Sequence, residues 1–380
     1  MSVWDDLVGQ APVVEQLSSA AAGTGGGMAH AWLFTGPPGS GRVTAARAFA
    51  AALQCTETPR GCGHCASCHQ VLQGTHADVE VVRPQGLSFG IKDARALVLR
   101  ASSSPSGGGR QIVLFEDADR ATEGAANALL KAIEEPPPRT VWLLCTPSAE
   151  DLLVTIRSRC RQVTLQTPPI AAVADMLVLR DGVDRDTAEI VARAAQGHIS
   201  RARLLATDPR MRRVRDGVVA IPRRLTGVSP AVAAAEVLVK AAEAERDAQT
   251  VELNETETSA LRKALGESEK GRMPRGTAGA LKELEGRQKS RATRVMRDAL
   301  DRTLLDLASY YRDVLALQLG AGSDLVNIEL GPELRTAASA GRPEDTLRRL
   351  DAIMECRERV AANVNPQLAF EALTLALRTG

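Results

Sequence analysis

Aromatic residues are scarce in this sequence of 380 residues: phenylalanine, tyrosine and tryptophan together make up 3%. Alanine, leucine, valine and arginine are common instead. The shortage argues against an all-β sandwich, whose strands are rich in aromatic and β-branched residues. The composition favours helices packed on helices or on a parallel sheet, and the length favours two or three domains.

The chain also lacks a large net charge of either sign, with 47 basic and 46 acidic residues and a formal net charge of +1. A protein that binds nucleic acid through a strong overall field carries a clear basic excess, so this class is disfavoured. A local basic face such as residues 287–297 could contact DNA. Acidic residues flank it, however, which favours a solvated surface.

Long apolar runs are absent as well. The N-terminal residues include two acids and no signal-peptide core, and no stretch approaches the roughly twenty apolar residues of a membrane span. We therefore expect a cytosolic protein with no membrane partner. In that reducing compartment, a tight cluster of cysteines is more typical of a metal site than of disulfides.

Four of the seven cysteines lie close together, with the spacing C-x6-C-x2-C-x2-C. They are Cys55, Cys62, Cys65 and Cys68. Four thiolates at short spacing can close a tetrahedron around zinc and leave no position open for a substrate. The pattern therefore predicts a structural zinc site. His64 and His69 lie among the cysteines and could replace one of them, but four sulfurs suffice.

A glycine-rich loop, GPPGSGRV, lies between an apolar run and an alanine-rich helical pattern. We expect Ala31–Thr35 to be a central parallel strand, and strand, loop and helix is the order that a phosphate-binding loop requires. A complete loop reads G-x-x-x-x-G-K-[ST], in which the lysine reaches the outer phosphates and the hydroxyl binds magnesium. Here Arg42 replaces the lysine and Val43 replaces the hydroxyl residue. The candidate nucleotide-binding residues of the loop are Gly36, Pro37, Pro38, Gly39, Ser40, Gly41, Arg42 and Val43.

Two further strands supply candidate residues at their carboxyl ends. Glu116 and Asp117 follow a buried strand predicted at residues 112–115, and Thr146 lies at the end of another, at residues 141–147. In an open α/β sheet this edge faces the ligand crevice, where acids hold magnesium and polarise water. Without the glycine loop upstream, Glu116 and Asp117 could equally well be ordinary solvated residues of a loop. Strand and helix alternate five times in this part of the chain, which predicts a doubly wound parallel sheet.

The glycine loop, the acidic strand end, NALLKAIEEPP, the strand at Thr146 and the triplet SRC resemble, in order and spacing, the clamp-loader branch of the AAA+ superfamily. NVNPQLAFEALTLAL near the C-terminus also resembles the collar of that family. The resemblance implies an α/β plus all-α protein. The implied domains are a AAA+ RecA-like domain with a zinc module at 55–68 (1–167), a small helical lid (168–208) and a helical collar (209–380) with a charged insertion at 242–290.

Within this branch, motor subunits hydrolyse ATP, whereas delta-prime subunits share the fold and carry degenerate nucleotide motifs. Three departures resemble the second group. Arg42 and Val43 break the phosphate loop, and Glu116 begins an acidic pair that reverses the usual Asp-Glu order. Ser200 occupies the position of the lid arginine, with Arg201 one residue out of register. These changes argue against ATP and Mg²⁺ as working cofactors, and weak nucleotide binding stays open.

Two other functions remain as alternatives. A divergent ATP-hydrolysing motor subunit of the same assembly would share the fold, but Val43 argues against it. A zinc-dependent DNA-binding adaptor with a relict nucleotide fold would be a different class of protein. The cysteine cluster lacks the interleaved aromatic residues and the basic excess that such an adaptor needs.

The SRC triplet is intact in this sequence. In clamp loaders it supplies an arginine finger to ATP held by the neighbouring subunit, and such a finger is worth roughly three to five powers of ten in turnover. The resemblance assigns that role to Arg159, while Arg157 and Arg161 are expected to be ordinary surface arginines. The implied partners are motor (gamma/tau) and delta subunits, a sliding clamp and, through the complex, primer–template DNA at the replisome in the cytoplasm.

Overall fold

The computed structural model describes residues 2–24, 28–106, 109–266, 277–322 and 324–379. Internal contacts divide the chain into two compact units. The first comprises Met1–Pro84 and Ser88–Ala206, and the second comprises Gln85–Leu87 and Thr207–Gly380. The expected lid, residues 168–208, falls almost entirely within the first unit, and its status as a separate domain stays a prediction.

A parallel sheet of five strands forms the centre of the first unit. The strands are β1 (Ala31–Thr35), β2 (Val79–Val82), β3 (Gln111–Phe115), β4 (Thr140–Thr146) and β5 (Arg161–Thr164). Their spatial order is β2-β3-β4-β1-β5, and every neighbouring pair is parallel. All five residues of β1 are buried between β4 and β5, which confirms the prediction of an interior parallel strand.

Alternate residues of the strands belong to two separate apolar cores, because successive side chains of a strand point to opposite faces. Trp32 and Phe34 lie in one core with Phe49, whose ring centroid is 4.8 Å from that of Trp32. Leu33 and Trp142 lie in the other core. The sheet is therefore covered on both faces, as in doubly wound folds.

Nine α-helices lie in the first unit within the described residues. They are α1 (Ala11–Ala22), α2 (Arg42–Gln54), α3 (Ala66–Gln73), α4 (Ile91–Ala101), α5 (Glu123–Glu134), α6 (Val154–Arg157), α7 (Ile170–Asp181), α8 (Arg185–Ala194) and α9 (Ile199–Thr207). The start of α5 illustrates the local signals: the hydroxyl of Thr122 accepts a hydrogen bond from the backbone N–H of Ala125. The sequence predicts Thr122 as the N-cap residue, because threonine precedes the helical pattern, and this contact confirms it.

The second unit is all-α in its described part. Its helices are α10 (Pro209–Val219), α11 (Val228–Ala264), α12 (Ala278–Gln318), α13 (Gly331–Ala340), α14 (Pro343–Ala361) and α15 (Pro366–Thr379). Leu300, Leu304, Leu307 and Tyr311 recur every three or four residues on α12 and are buried in one apolar core. The apolar spacing in the sequence predicts a stripe that packs against sister helices, and this prediction is confirmed.

Polar pairs join α11 and α12 where the charged insertion runs. Arg291 donates to Glu257 at 2.6 Å and to the side chain of Asn254 at 2.6 Å, and Arg302 pairs with Glu245. The sequence predicts long exposed helices over residues 242–290. Within the described residues, this segment continues α11 to Ala264 and begins α12 at Ala278. The sequence also predicts a break with glycine and proline near residues 271–276, which lie outside the described residues. Among the described helices, none is both long enough and apolar enough to cross a membrane.

Candidate functional site

The glycine loop connects β1 to α2 at the carboxyl edge of the sheet. Gly36 and Gly39 have φ angles of +151° and +87°, which side chains rarely tolerate. A Cβ atom on Gly36 would lie 2.5 Å from Oγ of Ser40 and 2.6 Å from the carbonyl oxygen of Leu165. Glycine therefore allows the loop to close tightly before α2 begins at Arg42.

Arg42 turns back onto the loop instead of leaving it open. Its Nη1 donates a hydrogen bond of 2.9 Å to the carbonyl oxygen of Gly36. Nε of Arg42 and Oγ of Ser40 are buried and have no hydrogen-bond partner in the described part of the chain. The side chain of Val43 packs against an apolar core and offers no oxygen to a metal ion. The loop thus keeps the outline of a phosphate site without the two side chains that hold phosphate and magnesium.

Glu116, the first acid after β3, is engaged at both carboxylate oxygens. Arg47 on α2 donates to Oε1, and Nε of Arg83 lies 2.9 Å from Oε2. The Glu116 side chain is only 13% exposed, so both ion pairs are partly shielded from water. Two cations therefore occupy the oxygens that a magnesium ion would need.

Arg47 and Arg83 were not identified from the sequence. Arg47 is one of few polar residues in the alanine-rich α2, and Arg83 directly follows β2, the strand that neighbours β3. Parallel neighbours end at the same edge of a sheet, so an arginine after β2 and an acid after β3 are expected to meet. That signal was available, but only once the strand order was known.

The second acid of the pair, Asp117, lies 3.7 Å from Nε of Arg120. Nearby Asp119 is partly buried, and its Oδ1 has no hydrogen-bond partner within the described residues. Burial raises the pKa of Asp119, and the charge of Asp117 raises it further. At this end of β3, two arginines therefore hold Glu116, whereas burial disfavours the charged form of Asp119.

Thr146 lies beside the start of the glycine loop, because β4 pairs with β1 in a register that places Thr146 opposite Thr35. Its side chain is fully buried and donates to the carbonyl oxygen of Ser148 at 3.0 Å. Oγ1 also lies 3.3 Å from Oδ2 of Asp151. The structure brings Thr146 to the loop edge, and its hydroxyl is engaged by the turn that follows β4.

His198 packs directly against the loop and was not identified from the sequence. A Cβ atom on Gly39 would lie 2.5 Å from Cγ of His198. The sequence pattern instead indicated Ser200 and Arg201, at and beside the position of the lid arginine. Ser200, in the first turn of α9, is exposed. The side chain nearest to the loop from this segment is therefore an imidazole that contacts glycine.

Arg159 lies between α6 and β5, away from the loop in sequence but within the same unit. Its Nη2 forms an ion pair of 2.7 Å with Glu134 at the end of α5, and its Nη1 donates to the carbonyl oxygen of Thr155 at 2.8 Å. The Arg159 side chain is 35% exposed. The guanidinium is thus oriented by two contacts and still reachable from outside.

The neighbouring arginines make different contacts. Nη1 of Arg157 lies 3.4 Å from the exposed carboxylate of Glu150. The guanidinium of Arg161 lies over the ring of Trp32, 5.0 Å from its centroid, which is a cation–π distance. Arg161 was expected to be an ordinary surface arginine, but its guanidinium packs against Trp32, a buried residue of β1.

The four cysteines of the predicted zinc site come together. Their sulfur atoms all lie within 4.8 Å of one another, and those of Cys55 and Cys65 are 3.9 Å apart. Zinc–sulfur bonds of about 2.3 Å place the sulfurs of a tetrahedral site about 3.8 Å apart. The donor set is all sulfur, with neither histidine in the cluster. These residues fit a closed, structural zinc ion.

Backbone donors around the cluster favour thiolates. The N–H of Cys65 donates to Sγ of Cys62 at 3.3 Å, and the N–H of Cys68 donates to Sγ of Cys65 at 3.4 Å. Burial raises the pKa of Cys55, but backbone hydrogen bonds outweigh it and lower this pKa to about 6. Burial raises the pKa of Cys68. A bound zinc ion would supply the charge that four neighbouring thiolates need.

Comparisons with known proteins match both ends of the chain. A family model described as DNA polymerase III, delta subunit, matches residues 9–169. A second model, described as DNA polymerase III, delta subunit, C terminal, matches residues 295–379. The two matches together cover well over half of the chain.

Curated relatives give the same indication. The DNA polymerase III subunit delta' of Bacillus subtilis (strain 168) is 28% identical over 357 residues, which cover 93% of this chain and 92% of that protein. Subunit delta' of Pseudomonas aeruginosa is 34% identical over 210 residues, covering 53% of this chain and 64% of its own length. Subunit tau of Bacillus subtilis is 31% identical over 205 residues, covering 51% of this chain and 35% of its own.

The parallel sheet with a glycine loop, followed by an all-α region, defines an α/β protein of the AAA+ type, as the sequence predicted. The family models and the relatives then identify the family within this class. The chain belongs to the delta-prime family of DNA polymerase III subunits.

Proposed function

We propose that this chain is a subunit of the replicative clamp loader that does not hydrolyse ATP itself. It assembles with motor (gamma/tau) and delta subunits and supplies Arg159 to ATP bound by a neighbouring subunit. The assembly then loads a sliding clamp on primed DNA at the replisome. The observation that carries the proposal is the pairing of Glu116 with Arg47 and Arg83 beside a loop that contains Val43.

Phosphoryl transfer depends almost entirely on positioning and on stabilising negative charge, chiefly through magnesium. Magnesium prefers oxygen ligands in a near-octahedral arrangement. Val43 offers none, and both oxygens of Glu116 are neutralised by guanidinium groups. Arg42 also donates to the loop's own carbonyl oxygen at Gly36. These contacts support a site that binds nucleotide weakly or not at all and does not hydrolyse it.

Arg159 has the properties that an arginine acting on a neighbouring subunit needs. A finger must be reachable from outside and held in one orientation, because its contribution depends on geometry in the transition state. Glu134 and the carbonyl oxygen of Thr155 hold the guanidinium, which is partly exposed. Fingers of this kind contribute roughly 10³ to 10⁵ in turnover.

The zinc site is proposed as a structural element of the same unit. Cys55 is the C-cap residue of α2, and Cys65 is the N-cap residue of α3. The metal would therefore link the end of α2 to the start of α3. The backbone N–H of Val3 also donates to the carbonyl oxygen of Gly61 within the cysteine loop. Since four sulfurs fill the tetrahedron, the ion takes no part in chemistry.

A divergent motor subunit is the second candidate, because subunit tau of Bacillus subtilis matches about half of this chain. The two candidates predict opposite results for the purified chain. A motor subunit binds and hydrolyses Mg-ATP by itself, whereas the proposed subunit does not. Measurement of ATP binding and of phosphate release by the lone chain therefore separates them, and robust turnover would contradict the proposal.

The role of Arg159 is tested in a clamp loader reconstituted without its own copy of this subunit. Addition of the unchanged chain should restore DNA-dependent ATPase activity. Arg159→Ala should lower turnover at the neighbouring site by roughly 10³ or more. Arg157→Ala is the matched control and should leave it unchanged. Full activity of a loader that contains Arg159→Ala would disprove the assignment.

A further inference from the structure

We infer that a cleft in the helical second unit binds an acidic peptide segment of a partner protein, through an apolar side chain flanked by carboxylates. The cleft has a volume of about 440 Å³. Its walls come from α11, from the first half of α12 and from the connection between α14 and α15. This inference does not depend on the proposed role in clamp loading.

The cleft arises because the covering helices end while α12 continues. Tyr311, Leu307, Leu304 and Leu300 form the buried stripe of α12, and the same face continues towards the N-terminus of the helix. On that continuation, at spacings of four, three and four residues back from Leu300, lie Met296, Thr293 and Lys289. Since α14 ends at Ala361 and α15 starts at Pro366, this part of the stripe lines an open cleft.

The floor of the cleft is apolar. Met296 and Leu300 on α12 and Val360 at the end of α14 line it, and Leu300 and Val360 also belong to the core of this unit. Val364, which also lines the cleft, is 41% exposed and extends the apolar surface outwards. A side chain such as leucine or phenylalanine that enters the cleft would exchange water for these groups.

The mouth of the cleft is basic. Arg246, Lys289 and Arg297 line it, and the lining contains no aspartate or glutamate from the described residues. Nε of Arg246 lies 2.8 Å from Asp247, which offsets part of its charge, while Nη2 of Arg297 donates to the side chain of Asn363 at 2.5 Å. The excess of positive charge around an apolar floor is complementary to carboxylates around an apolar anchor.

Asn363 lines the cleft at the connection between α14 and α15. Its φ angle is +64°, a left-handed conformation that asparagine tolerates better than most residues. The hydrogen bond from Arg297 fixes this turn and orients the guanidinium at the rim. The cation is therefore positioned before any ligand arrives, which lowers the entropy cost of binding.

Single-stranded nucleic acid is the competing occupant of a basic cleft. Its phosphates would satisfy the cations, but nucleic acid sites of this kind also present aromatic side chains on which bases stack. None of the residues that line this cleft is aromatic. The apolar floor and rim therefore favour a peptide.

The probes are fluorescein-labelled peptides in which leucine, phenylalanine or methionine is flanked by aspartates and glutamates, with serine-centred peptides for comparison. Binding to the full-length chain is measured by fluorescence anisotropy. We expect the apolar-centred peptides to bind at least about tenfold more tightly than the serine-centred ones. Added salt should weaken the binding of the apolar-centred peptides.

Lys289→Glu should weaken this binding by about tenfold or more, because it places a carboxylate at the mouth. Lys263→Glu makes the same charge change on α11, about 26 Å along the helix from Arg246, and should have no effect. Ala292→Phe fills the cleft without a change of charge and should also abolish binding, while circular dichroism checks that each variant keeps its helices. Ala292 lies in the cleft lining.

Three results would overturn the inference. The first is failure of every apolar-centred peptide to bind the unchanged chain. The second is equal binding by Lys289→Glu and Lys263→Glu. The third is tighter binding of a labelled oligothymidylate that is lost in Lys289→Glu, which would assign the cleft to nucleic acid.

Discussion

Nε of Arg83 lies 2.9 Å from Oε2 of Glu116, so the residue that follows β2 neutralises the acid that follows β3. Because β2 and β3 are parallel neighbours, their carboxyl ends place these two side chains together. Together with Arg47, Arg83 makes Glu116, an acid at the position predicted to bind magnesium, the centre of an ion-pair network. The proposed absence of ATP hydrolysis would then depend on these ion pairs as well as on the changes in the glycine loop.

Repair of the loop alone should not restore hydrolysis. The double variant Arg42→Lys, Val43→Thr supplies the missing lysine and hydroxyl, but Glu116 stays neutralised. We expect phosphate release by the lone chain to stay within about twofold of the unchanged protein. Further replacement of Arg47 and Arg83 by alanine should increase Mg²⁺-dependent nucleotide affinity. Efficient turnover by the double variant would show that the arginines do not block the site.

Glu134 should act as a positioning residue for Arg159. Glu134→Gln removes the charge that orients the guanidinium, while the carbonyl oxygen of Thr155 still accepts from Nη1. The reconstituted loader should therefore lose activity by less than about a hundredfold, far less than with Arg159→Ala. The effect should appear in kcat, with the KM for ATP nearly unchanged. A loss as large as that of Arg159→Ala would instead indicate a role for Glu134 in assembly.

The cysteine cluster should hold one zinc ion per chain, measurable by inductively coupled plasma mass spectrometry. Cys65→Ser should remove it and destabilise the first unit, because three thiolates no longer close the tetrahedron. Cys160→Ser changes a cysteine outside the cluster and should keep the zinc. A folded chain purified without metal and indifferent to chelators would contradict the assignment.

Arg215 should be essential for the stability of the second unit. It is 5% exposed, its Nη1 lies 3.0 Å from Glu329, and Nη2 donates to Asn327. Arg215→Ala would leave buried polar partners without their cation, at a cost of about 3 to 5 kcal/mol. Exposed Arg213→Ala on the same helix should cost less than about 0.5 kcal/mol.

The chain offers separate optical probes for this measurement. All three tryptophans, Trp4, Trp32 and Trp142, belong to the first unit, whereas both tyrosines, Tyr310 and Tyr311, belong to the second. Urea unfolding followed by tyrosine near-ultraviolet signals should shift in Arg215→Ala, while the tryptophan transition should not. An unchanged tyrosine transition would show that the buried cluster contributes little.

Asp119 should make the first unit less stable as the pH rises. Burial raises its pKa above the ordinary value of 3.8, so the folded state binds a proton more tightly than the unfolded state. The cost of the charged form is absent below pH 3.8 and grows as the pH rises through the folded pKa. Asp119→Asn should therefore raise the melting temperature at pH 7 and lose this advantage in acid.

Tryptophan-detected melting curves at several pH values check this dependence. Glu15→Gln removes an exposed charge from α1 and serves as the matched control. Its difference from the unchanged chain should be small and should show no such trend. If Asp119→Asn were less stable than the unchanged protein at pH 7, the charged form of Asp119 would be favourable in the folded state.

Local sequence signals predicted much of the fold. The bounds of β1 agree with the prediction, since a short apolar run before a glycine loop specifies a buried strand. Thr122 was identified as an N-cap residue from its type and position alone. The cysteine spacing likewise predicted a cluster that the fold assembles. In each case the determining residues are close together in the chain.

The contacts at the candidate nucleotide site could not be predicted in this way. Arg47 and Glu116 are 69 residues apart, and they meet only because α2 and the end of β3 lie on the same edge of the sheet. The contact of His198 with Gly39 joins segments that are still further apart in the chain. Pairing of charges across such distances depends on strand order, which local periodicity does not specify.

The sequence by itself determined the family architecture, the four-cysteine cluster and the changes at Arg42 and Val43, because each depends on contiguous or closely spaced residues. Only the tertiary structure decided what surrounds those changes. It placed two arginines on Glu116, an imidazole on Gly39 and Glu134 beside Arg159. The physical reason is that ion pairs and close packing depend on distances in space, and the chain sets these only when the sheet and its helices have assembled.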